Sequence, residues 1–293
     1  FPTRRSSDLF KVTEYWMKFG IDGWRLDVPN ENSHAFWMEW RKFVKSLNPE
    51  AYIVGEIWDD GSSWLQGDQF DAVMNYRFRR SCVEFFARRT MTPLEFDRSL
   101  ARTRALYPDE VNYVLQNLLG SHDTERFLTV CNGNKAAMKL AWLFQMTYVG
   151  APMVYYGDEV GMTGGKDPGC RGTMIWDEDK QDRELLAEIK GLIKIRNQYP
   201  VFRHGTFASV LVDDERLLFG FTRDNPIDGT QALVILNNSD DMQEVDLQPC
   251  TNFSSITWQQ IWPRNDGKSF KTVNNMYRLE PRTGIIFIGG TQP

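Results

Sequence analysis

Between residue 10 and about residue 200 the chain alternates two hydrophobic patterns. Apolar runs of strand length stand at 21–28, 51–57, 71–75, 112–119 and 152–156. Between and around them, 10–19, 34–46, 77–90, 94–106, 134–148 and 182–198 space their apolar residues at helical intervals. Such alternation predicts a parallel sheet with helical crossovers. From about 205 the rhythm changes. Candidate strands at 206–212, 216–223, 231–237, 243–247, 255–262 and 284–288 follow one another with Asn, Asp, Gly and Pro between them, and a hairpin is expected around Asp213 and Asp214. This second stretch predicts a small antiparallel β-sandwich. The chain therefore divides into an α/β region, 10–203, and an all-β region, 204–293. Residues 1–9, FPTRRSSDL, lack periodicity and resemble translated sequencing-adapter remnants, so they are expected to be a non-native leader outside the fold.

The first strand candidate breaks its own pattern. In GIDGWRLDVPNE (20–31), Arg25 and Asp27 lie two apart and share one face, whereas Trp24, Leu26 and Val28 share the other. Such an Arg–Asp pair either serves structure or keeps a carboxylate ionised and aimed, and on its own it does not choose. Asp22 reads as a turn or structural residue. Glu56, in VGEIW, is harder to explain structurally, because an unpaired buried Glu is costly. Asp123, in GSHDTERF, is a third acid at a strand end; beside it His122 alone would read as a core histidine. One strand–helix unit separates Asp27 from Glu56, and two separate Glu56 from Asp123. In a (β/α) barrel such strand ends converge on one mouth. Three carboxylates there repel unless a cation, a positive side chain or a shared proton relieves them, and Arg25 is the positive partner available to Asp27.

Composition narrows the classes. A chain of 293 residues, 42% hydrophobic and 25% charged, suits one large and one small globular domain. The net charge of −5 and the absence of any Lys/Arg run argue against nucleic-acid or anionic-membrane partners. No apolar stretch has transmembrane length. Cys82, Cys131, Cys170 and Cys250 lack CxxC spacing, which points to free thiols in a reducing compartment and hence a cytoplasmic location. His34, His122 and His204 have no i,i+4 relation, so no metal site is expected. Ten Trp within 13% aromatics fit either a large core or stacking platforms for sugar rings.

GIDGWRLDVPNE, VGEIWDD and LLGSHDTERF resemble three signature segments of the α-amylase family of glycoside hydrolases, in family order. GAPMVYYGDEVGM resembles the last-strand segment of that family. VPNE, WLQGDQFDAVMNY and GGKDPGCRGTMIW are most similar to cyclomaltodextrinases, neopullulanases and maltogenic amylases, and the likeness covers nearly everything after residue 10. The resemblance implies a partial (β/α)8 TIM barrel, about strands 4–8, followed by the sandwich. It implies a retaining hydrolase of maltodextrins, cyclodextrins or pullulan, with Asp27 as nucleophile, Arg25 as its positioning partner and Glu56 as general acid/base. Asp123, with His122, would grip sugar hydroxyls in the −1 subsite. Asn30 and Glu31 become acceptor-side contacts, which Trp58 would shape. Asp167 and Arg171 would contact substrate or form a surface salt bridge. The reaction requires carboxyls roughly 5–5.5 Å apart and an acid still protonated near neutrality.

The pattern is also incomplete. The family's three earlier strands, their Asn-His segment and a loop that often holds calcium have no counterpart before residue 20. The chain is therefore expected to be the C-terminal part of a parent enzyme, poorly stable and inactive alone. It would need no cofactor, calcium and a homodimer being admissible only for the parent. Pro29 stands where relatives commonly have Ala, which bears on fine specificity. A 4-α-glucanotransferase and a non-catalytic glucan-binding relative are the alternatives; retention of all three carboxylates weighs against the second.

Overall fold

The computed structural model describes residues 4–250, 258–263, 269–270 and 276–290. Five short strands, β1 (Gly23–Leu26), β2 (Tyr52–Gly55), β3 (Ala72–Asn75), β4 (Gln116–Leu118) and β5 (Ala151–Met153), pair in parallel and in chain order. Helix α1 (Arg4–Lys18) precedes them and α2 (His34–Leu47) joins β1 to β2. Between β3 and β4 run α3 (Tyr76–Cys82), a π-helical continuation (Val83–Arg88), α4 (Pro93–Ala105) and the short α5 (Asp109–Asn112). Helices α6 (Phe127–Val130) and α7 (Lys135–Thr147) link β4 to β5, and α8 (Arg183–Gln198) and α9 (Val201–His204) close the region. The helices start where the sequence supplies caps: Ser33, Asn134 and Asp182 each accept a backbone N–H of the first turn, and Thr92 forms a capping box with Glu95.

Two expectations are corrected. Helix α1 begins at Arg4, so residues 4–9 continue the helix instead of lying outside it; extending an existing helix backwards costs little once its nucleus has formed. Val28 does not share the apolar face of Trp24 and Leu26. The strand ends at Leu26, and Val28 is exposed in a left-handed conformation at φ 42°. Leu26 and the partly buried Trp24 pack into a core with Trp37, Trp40 and Phe70.

Strands β6 (Ala208–Asp213), β7 (Leu218–Asp224), β8 (Gln231–Asn237), β9 (Gln243–Asp246), β10 (Trp258–Trp262), β11 (Ser269–Phe270), β12 (Met276–Leu279) and β13 (Thr283–Gly289) form two antiparallel sheets. Their orders are β11-β10-β13-β8-β7-β6 and β12-β9. The expected hairpin joins β6 to β7, whereas residues 255–257 of the expected strand 255–262 lie outside the described residues. Leu233 and Ile235 of one sheet share a core with Val245 and Leu279 of the other. A larger core runs without a break from Phe85, Phe96 and Phe144 to Phe219, Phe221 and Ile286.

Where helix α7 ends, one buried arginine fastens the two regions together and a second ties α8 to the same point. Arg223 of β7, fully buried, donates Nη1 to the carbonyls of Thr147 and Phe202, Nη2 to Gly205 and Nε to Thr206. Arg196 of α8 reaches the carbonyls of Met146, Tyr148 and Gly150. Several of these oxygens belong to the last turn of α7, which has no intrahelical donors left. Burial pulls the Arg223 guanidinium down to about 9, and the cation remains charged at neutral pH and suits the negative helix end. Arg223→Met would strip donors from four carbonyls and is expected to cost about 3–4 kcal/mol. A urea-unfolding midpoint that barely moves would contradict that assignment.

Candidate active site

Because the five strands run parallel, their C-terminal ends open on one side of the sheet, where such folds gather their chemistry. Asp27 follows β1, Glu56 follows β2, Tyr76 follows β3, and His122 and Asp123 lie beyond β4. The segment carrying Asp167 and Arg171 comes after β5. The Glu56 backbone N–H donates to the Leu26 carbonyl at 3.0 Å, which sets the two acids one step past a shared ladder.

Arg25 does more than position Asp27. Its Nη1 contacts Asp27 Oδ1 at 2.6 Å and its Nη2 contacts Glu56 Oε2 at 2.7 Å, so one guanidinium bridges both acids. The two carboxyls therefore share one side of the sheet. Their environments differ sharply: the Asp27 side chain is 76% exposed and that of Glu56 only 6%. The Arg–Asp pair is thus half-open and bound to a buried Glu. The hydrogen bond from Arg25, followed by its charge, holds the Asp27 carboxyl below the usual carboxylate range; Glu56 and His122 add smaller contributions in the same direction. Glu56 Oε1 also accepts from Trp58 Nε1 at 3.2 Å.

A second pole forms around Asp123. His122 Nε2 lies 3.0 Å from its Oδ2, and Arg171 Nη2 lies 2.9 Å from its Oδ1. Arg171 Nε also pairs with Asp167 at 2.6 Å, so the ion pair foreseen between these residues exists and reaches the site as well. Between the poles stands Tyr76. Its ring stacks on Trp58 with centroids 3.9 Å apart, and its hydroxyl lies 3.3 Å from Ser121 Oγ. Burial pushes the Tyr76 phenol up to about 12, with Glu56 and Asp123 adding to the shift. Tyr76 was not among the residues singled out from the sequence; its position directly after a strand was the available signal.

Asn30, Glu56, Trp58 and Trp64 line a cleft of about 330 Å³ on the β1–β2 side. Trp58 stays 46% exposed there. Glu31, by contrast, is exposed and does not line the cleft. A larger groove of about 870 Å³ lies far from the strand ends, between α7, α8 and the β10 and β13 ends.

Residues 4–185 match the family described as alpha amylase, catalytic domain. Neopullulanase 2 of Thermoactinomyces vulgaris is 52% identical over 240 residues, which cover 82% of this chain and 41% of that protein. A cyclomaltodextrinase of Thermoanaerobacter pseudethanolicus is 44% identical over 279 residues, 95% of this chain and 46% of its own. A solved cyclomaltodextrinase structure superposes with a TM-score of 0.88 at 38% identity, over 99% of this chain and 49% of that one. The chain thus spans less than half the length of these curated relatives. Parallel strand ends that carry paired acids agree with so extensive a match, and the chain belongs to the α-amylase family of glycoside hydrolases.

Proposed function

We propose that this chain carries the reacting residues of a retaining hydrolase acting on α-glucosidic bonds in maltodextrins, cyclodextrins or pullulan. The Arg25 fork carries this reading, because it holds two acids with opposite environments within reach of one bond. In the first step Glu56 donates a proton to the glycosidic oxygen while Asp27 attacks the anomeric carbon. The bond to the leaving sugar breaks and a glycosyl ester forms on Asp27. Glu56 then takes a proton from water, which releases the sugar with its configuration retained. Both Glu56 oxygens accept a hydrogen bond in the free site, from Arg25 and from Trp58, and these contacts hold the carboxyl in place for the transfer. Asp123 and His122 would bind hydroxyls more strongly as positive charge develops on the ring. Asn30, Glu31 and Trp58 would face the acceptor, and Asp167 and Arg171 would border the −1 side. No cofactor enters this reaction, and no metal is assigned to these residues.

In this reading the five parallel strands are strands 4–8 of a (β/α)8 barrel, and the two antiparallel sheets form a sandwich beginning near residue 204. Its supports are the chain-order pairing, which leaves β1 and β5 as edges, and the exposed Tyr15 and Trp16 of α1 with the following Phe19. The parent enzyme would work in the cytoplasm, a location that suits the free, buried thiols of all four cysteines. The net charge of −5 gives no reason to expect nucleic acid or an anionic membrane as a partner; separately, among the described residues no helix is long and apolar enough to cross a membrane. A homodimer of the parent belongs to the same proposal.

The test is to recover the upstream coding sequence and assay the parent enzyme beside the 293-residue chain. The parent is expected to release the α-anomer first from maltotriose or cyclodextrin, seen by proton NMR; release of the β-anomer would overturn the double displacement. The chain alone should give no measurable hydrolysis, because its nucleophile stands open to water. Excess glucose as acceptor separates hydrolysis from glucanotransfer. In the parent, Glu56→Gln is expected to lower kcat roughly 10²–10⁴-fold, and retention of near-full activity would remove Glu56 from its role.

Asp27 also sets the acid side of the pH profile. Its pKa is lowered, so the ionised nucleophile persists at ordinary carboxylate pH and activity fails only as pH falls through that lowered value. Arg25→Lys in the parent, which loses the fork, should raise the acid limb of kcat/KM towards about 3.9. An unmoved limb would mean that Arg25 does not govern the ionisation of Asp27.

A further inference from the structure

Behind the Asp123 pole lies a buried cluster that the reaction above does not use. Arg126, fully buried, donates Nη1 to the Tyr156 carbonyl at 2.7 Å and to Asp158 Oδ1 at 2.9 Å, and its backbone N–H donates to the Gly164 carbonyl at 3.0 Å. Its Nε and Nη2 find no acceptor among the described residues. Instead the guanidinium lies over two rings, 4.6 Å from the centroid of Tyr155 and 5.0 Å from that of Tyr156.

Those two tyrosines reach forward into the site segment. Tyr155 donates its hydroxyl to the Cys170 carbonyl at 3.3 Å, and Tyr156 donates its own to the Gly172 carbonyl at 2.8 Å. The residue between the two held carbonyls is Arg171, the cation on Asp123. On the other side, the Cys170 thiol donates to the His122 carbonyl at 3.1 Å. The loop after β5 is thus tied to the loop after β4 at both flanks of the Arg171–Asp123 contact.

We propose that Arg126 is a positioning residue that acts through Tyr155 and Tyr156 to seat Arg171 against Asp123. A merely stabilising ion pair would be a poor reason for this cluster. Burial pushes the Asp158 carboxyl up to about 7 against the attraction of Arg126, so the charges are held at a cost. What the pair secures is the path of the backbone: Gly157, at φ +85°, leaves no room for a Cβ, which would meet Met162 Sδ at 2.2 Å and Arg126 Nη1 at 3.3 Å. The importance of the Arg171–Asp123 contact for sugar binding rests on the function proposed above, but the contact itself can be tested without substrate.

The test uses the 293-residue chain and its three histidines. The His122 ring-proton resonance is assigned by its disappearance in His122→Gln. Arg171→Gln removes the cation from the carboxylate that faces His122 and should displace that resonance at fixed pH. The double variant Tyr155→Phe/Tyr156→Phe keeps both rings over Arg126 and loses only the two hydroxyl ties. It is expected to displace the resonance in the same direction, by at least half as much, while His34 and His204 stay in place. Arg126→Met should do likewise. Combined with Arg171→Gln, either change should add nothing further, because contacts acting through one partner are not additive. A His122 resonance unmoved in the tyrosine variant, or displacements that simply add, would overturn the proposal. Should Arg126→Met fail to fold, the tyrosine variant decides the matter alone.

Discussion

The site depends on one guanidinium serving two acids. Neighbouring parallel strands in register, with Leu26 beside Gly55, deliver Asp27 and Glu56 to the same edge one residue later. Two ionised carboxylates crowded together near a protein surface repel on a scale of roughly a few kcal/mol. Arg25, two residues before Asp27 and on the same face, removes that repulsion with its planar fork, one nitrogen to each carboxylate. A lysine in its place would offer a single point charge and could not orient both. The opening oddity of a charged strand is therefore a requirement of placing two acids side by side.

Much of the fold was legible in the sequence because its elements obey local rules. Helices at 34–46 and 94–106 announce themselves through apolar spacing and lie within a residue of the observed bounds, where Ser33, Thr92 and Glu95 cap them. The parallel strands were located but mostly drawn too long, β1, β2 and β5 at their C-terminal ends and β4 mainly at its N-terminal end. At the C-terminal ends the backbone leaves the ladder to build the site, as at Val28, whose left-handed turn contradicts its own β-branched preference. The three acids were legible because a carboxylate at a strand end violates the hydrophobic pattern. Tyr76 violated nothing, since an aromatic residue after MN reads as ordinary core.

The less legible features share a cause: they arise from contacts between segments far apart in the chain. Arg223 sits in FGFTRD like any charged strand end, and only the convergence of the Thr147, Phe202, Gly205 and Thr206 carbonyls makes its burial tolerable. Arg126 reads as a polar residue before a short helix, yet it is buried under two tyrosines that follow the next strand. Local patterning cannot rank such residues, because their partners are chosen by the crossing of the elements. The start of α1 failed for a different reason: the stretch of polar residues at 4–8 has no apolar face to reveal a helix that packing further along sustains.

The proposed division of roles rests on the contrast between Asp27 and Glu56. Glu56 is enclosed by Trp58, the β1 backbone and Arg25, whereas Asp27 looks out past the edge of the sheet. Divergent surroundings are what separate an acid from a nucleophile in carboxylate pairs. Yet solvent on the Asp27 side also weakens every interaction that would stabilise developing charge, since fields are strong only where water is excluded. On the β1 side the strand has no further neighbour among the described residues, and Tyr15 and Trp16 of α1 and the following Phe19 are exposed. On the proposed roles, covering the Asp27 side would strengthen those interactions by excluding water.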